Sequence, residues 1–204
     1  MIPQLEPPAL LRERQRDMQA AAPYCGLGFR KSALDPATHQ QLRAHFRANA
    51  ALFRSEQAIA EIGNPDPGTI PALLFEDKEF NVRLGMNLRA AHETWAGMSL
   101  ELSYCYGIRA YQRGTFLYTH VDRPTHVISS TICIDCALDR SWPLSVEDVE
   151  GQVSQVDIAP GEIFFYEGAR LAHGRPYSLL GDYYAAIFVH YRPVGWRSMS
   201  PEPL

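Results

Sequence analysis

Phe116-Leu-Tyr-Thr-His-Val-Asp122 and Arg170-Leu-Ala-His-Gly-Arg175, separated by a long middle segment, are the two runs whose reading decides the fold. Each is strand-like. Side chains alternate faces along a strand, so His120 and Asp122 point one way and Val121 the other, and the same rule sets His173 and Arg175 on one face. If both faces line one interior, two imidazoles and one carboxylate converge on a single ion. Seven histidines and 23 acidic residues among 204 positions give roughly 0.8 His-x-acid triplets by chance, so the triplet needs its context.

From Leu100 onward, short apolar or alternating runs follow one another, at about 100–105, 108–112, 116–122, 127–137, 144–147, 153–158, 163–166, 170–175 and 183–191. Turn residues separate many of them, including Gly107, Gly114, Pro124, Pro143, Gly151, Pro160-Gly161, Gly168 and Gly181. This predicts a mainly β fold with N-terminal helices, built on a jelly roll core. Up to about Gly97 the pattern is helical. Asp35-Pro36 reads as an N-cap with proline at the first helical position, followed by Leu42, Phe46 and Phe53 at helical spacing. A second helix is predicted over Asp77 to Trp95, and Gly63-Asn-Pro-Asp-Pro-Gly68 reads as a surface loop. The expectation is one domain over residues 1–204, with 1–98 as helical support, 99–193 as the β core and 194–204 as a tail.

Within such a core, three ligands on one face of an octahedron leave three adjacent positions for a chelating co-substrate and dioxygen, as in non-heme Fe(II) oxygenases. The net charge of −4 and the scattered arginines argue against a nucleic-acid backbone or an anionic membrane as partner. No signal-peptide pattern and no apolar run of spanning length are present, so a soluble, cytoplasmic protein is expected. Cys25, Cys105, Cys133 and Cys136 are too few for a disulfide framework, and Cys133-x-x-Cys136 lies in a β-branched run without a second pair to complete a zinc site. These are read as buried strand thiols.

Tyr106-Gly-Ile-Arg-Ala-Tyr111, Gly114, His120-Val-Asp122, Ala159-Pro-Gly-Glu-Ile-Phe-Phe165 and His173 together resemble the prolyl-hydroxylase-like branch of the Fe(II)/2-oxoglutarate dioxygenases. The resemblance covers about residues 100–193. It implies a double-stranded β-helix with His120, Asp122 and His173 as the iron ligands and as the catalytic centre. It also implies Tyr111 and Ser129 as contacts of 2-oxoglutarate. The implied reaction uses Fe(II), 2-oxoglutarate and O2, hydroxylates an unactivated C–H bond and releases succinate and CO2.

One departure concerns the far carboxylate of 2-oxoglutarate. The family places an arginine or lysine nine or ten residues after the distal histidine, where this chain has Asp182 and Tyr183. A dianion in an apolar cavity needs a cation or several donors. Arg175 shares a face with His173 and is favoured as that cation, with Tyr183 donating a phenolic hydrogen bond; Arg109 is the reserve, and Arg192 has the opposite parity to Tyr183. A structural pairing of Arg175 with a surface carboxylate stands beside that reading.

The other histidines take structural readings first: His39, His45 and His92 on helix surfaces or half-buried, and His190 as a satisfied core imidazole. His126 is read equally as a donor to a ligand and as a turn residue, Arg123 as a guard of the site mouth or a solvated charge, and Trp142 as a surface or rim residue. A small-molecule or amino-acid substrate is expected, with prolyl or peptidyl substrates also open, and no oligomeric state follows from the sequence. Three alternatives remain: a cupin-like isomerase or metal hydrolase, a non-catalytic 2-oxoglutarate-binding module, and a structural protein with an accidental triad.

Overall fold

The computed structural model describes residues 24–56 and 69–197, so the Gly63–Gly68 loop lies outside the described residues. In chain order it contains β1 (Phe29–Ala33), α1 (Pro36–Ala48), a 3-10 turn (Ala50–Leu52), β2 (Arg54–Ser55), β3 (Leu73–Phe75) and α2 (Lys78–Ala96). There follow β4 (Leu100–Cys105), β5 (Ile108–Gln112), β6 (Leu117–His120), β7 (Ile128–Leu138), β8 (Leu144–Glu147), β9 (Val153–Val156), β10 (Glu162–Tyr166), β11 (His173–Arg175) and β12 (Gly181–Pro193).

Both helices begin where their caps put them. The Asp35 side chain accepts from the Thr38 N–H, and Pro36 supplies a preset backbone angle. Asp77 accepts from the Phe80 N–H, and Gly97 ends α2 in the left-handed conformation at φ 69°. Phe53 lies past the end of α1 and packs edge-on against Phe46 at 5.5 Å. The stretch before Leu100 is not only helical, because β1 joins the edge of the large sheet beside β10, and β3 pairs with β5. β1 carries a polar FRKSA sequence and β3 has three residues, too short to show a period of two.

The large sheet runs β1-β10-β7-β12-β5-β3-β2, with β4 also paired to β12, and the small sheet runs β6-β11-β8-β9. β7 and β12 form its centre, and their alternation separates two apolar layers. Ile128, Ile132, Ile134, Ile187, Val189 and Tyr191 face the helices, where they pack with Leu42, Phe80, Leu84 and Leu88. Cys133, Tyr184 and Ala186 face the small sheet, against Leu144 and Val146. Each fully buried aliphatic side chain is worth about 1.5–3 kcal/mol, so these layers supply most of the driving force for bringing the strands together. The two facing sheets form the double-stranded β-helix expected from the strand pattern.

A register shift in β7 breaks its alternation once: Ala185 opposes Asp135 while Ala186 opposes Cys133. The extra residue returns Cys136 to the same face as Cys133 despite their odd spacing. All four cysteines are free, with Cys105 and Cys133 buried and Cys25 and Cys136 half-buried. Among the described residues no helix is long and apolar enough to cross a membrane.

Candidate metal centre and its cavity

His120 is the last residue of β6 and His173 the first of β11, and the antiparallel register sets them directly opposite each other. Their rings lie 4.6 Å apart. β6 stops at His120, short of the strand run through residue 122 expected from sequence. Asp122 is held in the following segment by its N–H, which donates to the Gly168 carbonyl at 2.8 Å. One Asp122 oxygen, Oδ1, stands 3.9 Å from His120 Nε2 and 3.7 Å from His173 Nε2. The donor atoms of the three residues all lie within 4.8 Å of one another.

Both imidazoles are fixed through their other nitrogen. His120 Nδ1 lies 2.8 Å from the Tyr118 carbonyl and His173 Nδ1 2.8 Å from the Leu171 carbonyl. A carbonyl only accepts, so each Nδ1 carries the proton and each Nε2 presents its lone pair to the centre. The other Asp122 oxygen, Oδ2, accepts from Ser129 Oγ at 3.2 Å. The Tyr166 hydroxyl also hydrogen-bonds Asp122. Burial by itself would raise the Asp122 carboxyl; positive charge on the facing His173, His190 and His120 side, when an imidazole there is protonated and His173 donates to it, holds the carboxyl well below the usual carboxylate range. A Cβ on Gly168 would collide with Asp122 Oδ2, Ser129 Oγ and the His126 carbonyl, so only glycine lets this loop approach the carboxylate.

The triad opens on a cavity of about 300 Å³. Arg175, Tyr111 and Thr131 line it together with His173. The Arg175 guanidinium is buried between the rings of Trp142 and Tyr184, 4.5 Å from each centroid. It donates to the Trp142 carbonyl and, at 3.0 Å, to the Tyr184 hydroxyl. No carboxylate pairs with it among the described residues. Arg109 also lines the cavity but is already matched by an ion pair with Glu56, and Arg192 is spent on Glu101 at 2.6 Å. Thr131 Oγ1 is buried without a hydrogen-bond partner among the described residues.

Two sequence expectations for co-substrate contacts are corrected by this geometry. Tyr183 faces the helices and packs on Phe46 at 5.9 Å; one residue on, Tyr184 has the parity that reaches Arg175. Ser129 stands behind Asp122 rather than on the cavity wall, and Thr131, two residues on along the same face, is the hydroxyl that lines it. Trp142 is buried as one face of the Arg175 sandwich, not a surface residue. His92 is fully buried rather than on a helix surface, its ring nitrogens 2.8 Å from the Leu88 carbonyl and 2.9 Å from Ser130 Oγ. His126 and His190 both line the cavity, stacked at 4.1 Å. Sequence reasoning missed Thr131, Tyr184 and Glu56; strand parity counted back from His190 would have found Tyr184, whereas nothing local marks Glu56.

No family model matches the sequence, and no curated protein is similar enough in sequence to match. Solved structures do match. A prolyl-4-hydroxylase from Pseudomonas putida aligns with a TM-score of 0.57 at 16% identity, covering 81% of this chain and 92% of that one. AviO1 from Streptomyces viridochromogenes aligns at 0.61 and 17% identity, covering 100% and 99%. HygX from Streptomyces hygroscopicus, in a structure with nickel, 2-oxoglutarate and hygromycin B bound, aligns at 0.60 and 12% identity, covering 91% and 89%. At these identities the likeness is one of fold.

Proposed function

We propose that this chain is an Fe(II)- and 2-oxoglutarate-dependent oxygenase that hydroxylates an unactivated C–H bond of a small molecule or amino acid, releasing succinate and CO2. The observation that carries the reading is the convergence of His120 Nε2, His173 Nε2 and Asp122 Oδ1 at a cavity wall, each imidazole already in the ligating tautomer. Two imidazoles and one carboxylate suit a ferrous ion and leave coordination positions open. The bound nickel and 2-oxoglutarate of the similarly folded HygX support a metal ion together with 2-oxoglutarate at this site.

The cavity fits 2-oxoglutarate on its own evidence. An unpaired buried guanidinium is costly, and a carboxylate arriving beside Arg175 relieves it. The unpartnered Thr131 hydroxyl offers a further hydrogen bond, and Tyr111 closes the wall between Trp142 and Arg109. Fe(II) with 2-oxoglutarate supplies the activation of dioxygen. The chain's own residues fix the open positions, orient the co-substrate through Arg175 and Thr131, and exclude water with Leu117, Val121, Leu144 and Phe188.

A non-catalytic module was favoured in the sequence only by a tyrosine in the usual cation position. That support lapses, since Tyr183 lies off the cavity and Arg175 offers the cation. The test is anaerobic binding of Fe(II) and 2-oxoglutarate, followed by succinate release in air against amino acids, peptides and small metabolites. Binding of both with substrate-dependent succinate is expected. Metal-dependent hydrolysis or isomerisation without oxygen uptake would replace this reading with the cupin-like one.

A further inference from the structure

Away from the triad and Arg175, the cavity is also lined by Tyr106, Arg109, Arg123, His126, Phe188 and His190. Tyr106 is the hub of this group. Its hydroxyl lies 3.2 Å from His126 Nε2, its ring meets His190 edge-on at 5.3 Å, and the Arg109 guanidinium sits over it at 5.4 Å. A flat or cyclic body entering the cavity would therefore meet the aromatic wall formed by Tyr106 and Phe188.

His190 gives this wall a polar contact point. Its ring is buried and its Nδ1 is engaged by Ser129 Oγ at 2.8 Å, which leaves Nε2 without a hydrogen-bond partner among the described residues on a ring that lines the cavity. The charges then decide what is admitted. Arg109 is matched by Glu56, and Arg175 lies buried between Trp142 and Tyr184. Arg123, exposed and lining the cavity, is paired with no carboxylate among the described residues.

The geometry points to a primary substrate that is a small anion with a flat or cyclic body: its carboxylate or phosphate meets Arg123, and its body lies on Tyr106 with a donor turned to His190 Nε2. This rests on the oxygenase reading, in which Arg175 is occupied by 2-oxoglutarate. Arg123 and Tyr106 are thereby specificity residues.

The test uses the full chain under anaerobic conditions with saturating Fe(II) and 2-oxoglutarate, and three probes of one shape: benzoate, phenyl phosphate and benzamide. Binding is read from the relaxation that Fe(II) imposes on the probe protons, so only probes near the metal register. One or both anions should bind about fivefold tighter than benzamide at low ionic strength, the scale of an exposed ion pair, with the preference shrinking as salt is added. The preferred anion tells carboxylate from phosphate. Arg123→Gln should abolish the preference and leave benzamide and 2-oxoglutarate binding unchanged, while Tyr106→Leu should weaken all three probes. Equal affinity for benzamide and both anions, a preference that survives Arg123→Gln, or no probe near the metal while Fe(II) and 2-oxoglutarate bind normally would overturn the inference and leave the oxygenase reading standing. Failure of Fe(II) or 2-oxoglutarate to bind would overturn both.

Discussion

Ser129 and Ser130 are neighbours on β7, and each holds a buried histidine on an opposite face of the same sheet. On the helix side, His92 bridges Ser130 and the Leu88 carbonyl, so both of its nitrogens are used and the ring is packed between Phe165 and Tyr191. On the cavity side, His190 spends one nitrogen on Ser129 and lines the cavity with the rest of its ring. Satisfied polar groups in an apolar layer rigidify it, whereas unspent polar groups facing a cavity are available to a ligand. His190, Thr131 and Arg175 share this unspent character on the cavity side. One sheet thus divides stability from chemistry by strand parity.

Substitutions on the two faces should therefore fail in different ways. The largest effect is expected for Asp122→Ala, which removes the proposed oxygen ligand and leaves two imidazoles. Fe(II) affinity should fall by more than about 100-fold, beyond the range for losing a supporting contact, with little change in the urea midpoint. An anaerobic Fe(II) titration checks it, and retained affinity would break the assignment of the centre. On the helix face, Ile187→Ala should cost about 2–5 kcal/mol in urea unfolding, as for a fully buried large-to-small change, and leave Fe(II) and 2-oxoglutarate affinities within twofold while folded. Arg175→Ala should then weaken 2-oxoglutarate by roughly 10- to 100-fold, the scale of a lost charge-assisted hydrogen bond, with Fe(II) affinity preserved. Calorimetry with 2-oxoglutarate reads this, and an unchanged affinity would remove Arg175 from the anchor.

How much of this was visible in the sequence follows the same division. The convergence of His120, Asp122 and His173 was legible in part: each histidine lies in a strand-like run and the two runs pair, whereas Asp122 lies past the end of β6 and is placed by its bond to the Gly168 carbonyl and not by strand parity. Arg175 was legible by strand parity, two residues beyond His173. Tyr183 was misplaced by one residue because a count from the distal histidine ignores which side of β12 faces inward, a side set by pairing with β5 and β7 and shared by residues of the parity of His190. Glu56 was invisible, since its pairing with Arg109 spans more than 50 positions and depends on β3 joining β5. Trp142 and His92 were misread because burial in both cases is set by a partner from a distant element: the Arg175 guanidinium for one, Ser130 for the other.

The smallest expected effect sharpens the helix-side half of the comparison. Burial lowers the His92 imidazole from 6.5 to about 4, an effect larger than the opposing hydrogen bond to Leu88, and the groups packed against it are the Ser130 hydroxyl and the rings of Phe165 and Tyr191. The native ring is therefore neutral where an unfolded one would be protonated. A folded pKa below the unfolded value means that its contribution is intact above about pH 6.5 and is lost as pH falls from there towards 4, where the loss levels off. Between pH 7.5 and 5.5 this one group should cost about 1 kcal/mol of unfolding free energy. Urea denaturation at the two pH values measures the total, and His92→Gln, which cannot titrate, should remove about that much of the slope. A slope unchanged by the substitution would mean that the helix-side histidine carries no pH dependence and that its burial is compensated elsewhere.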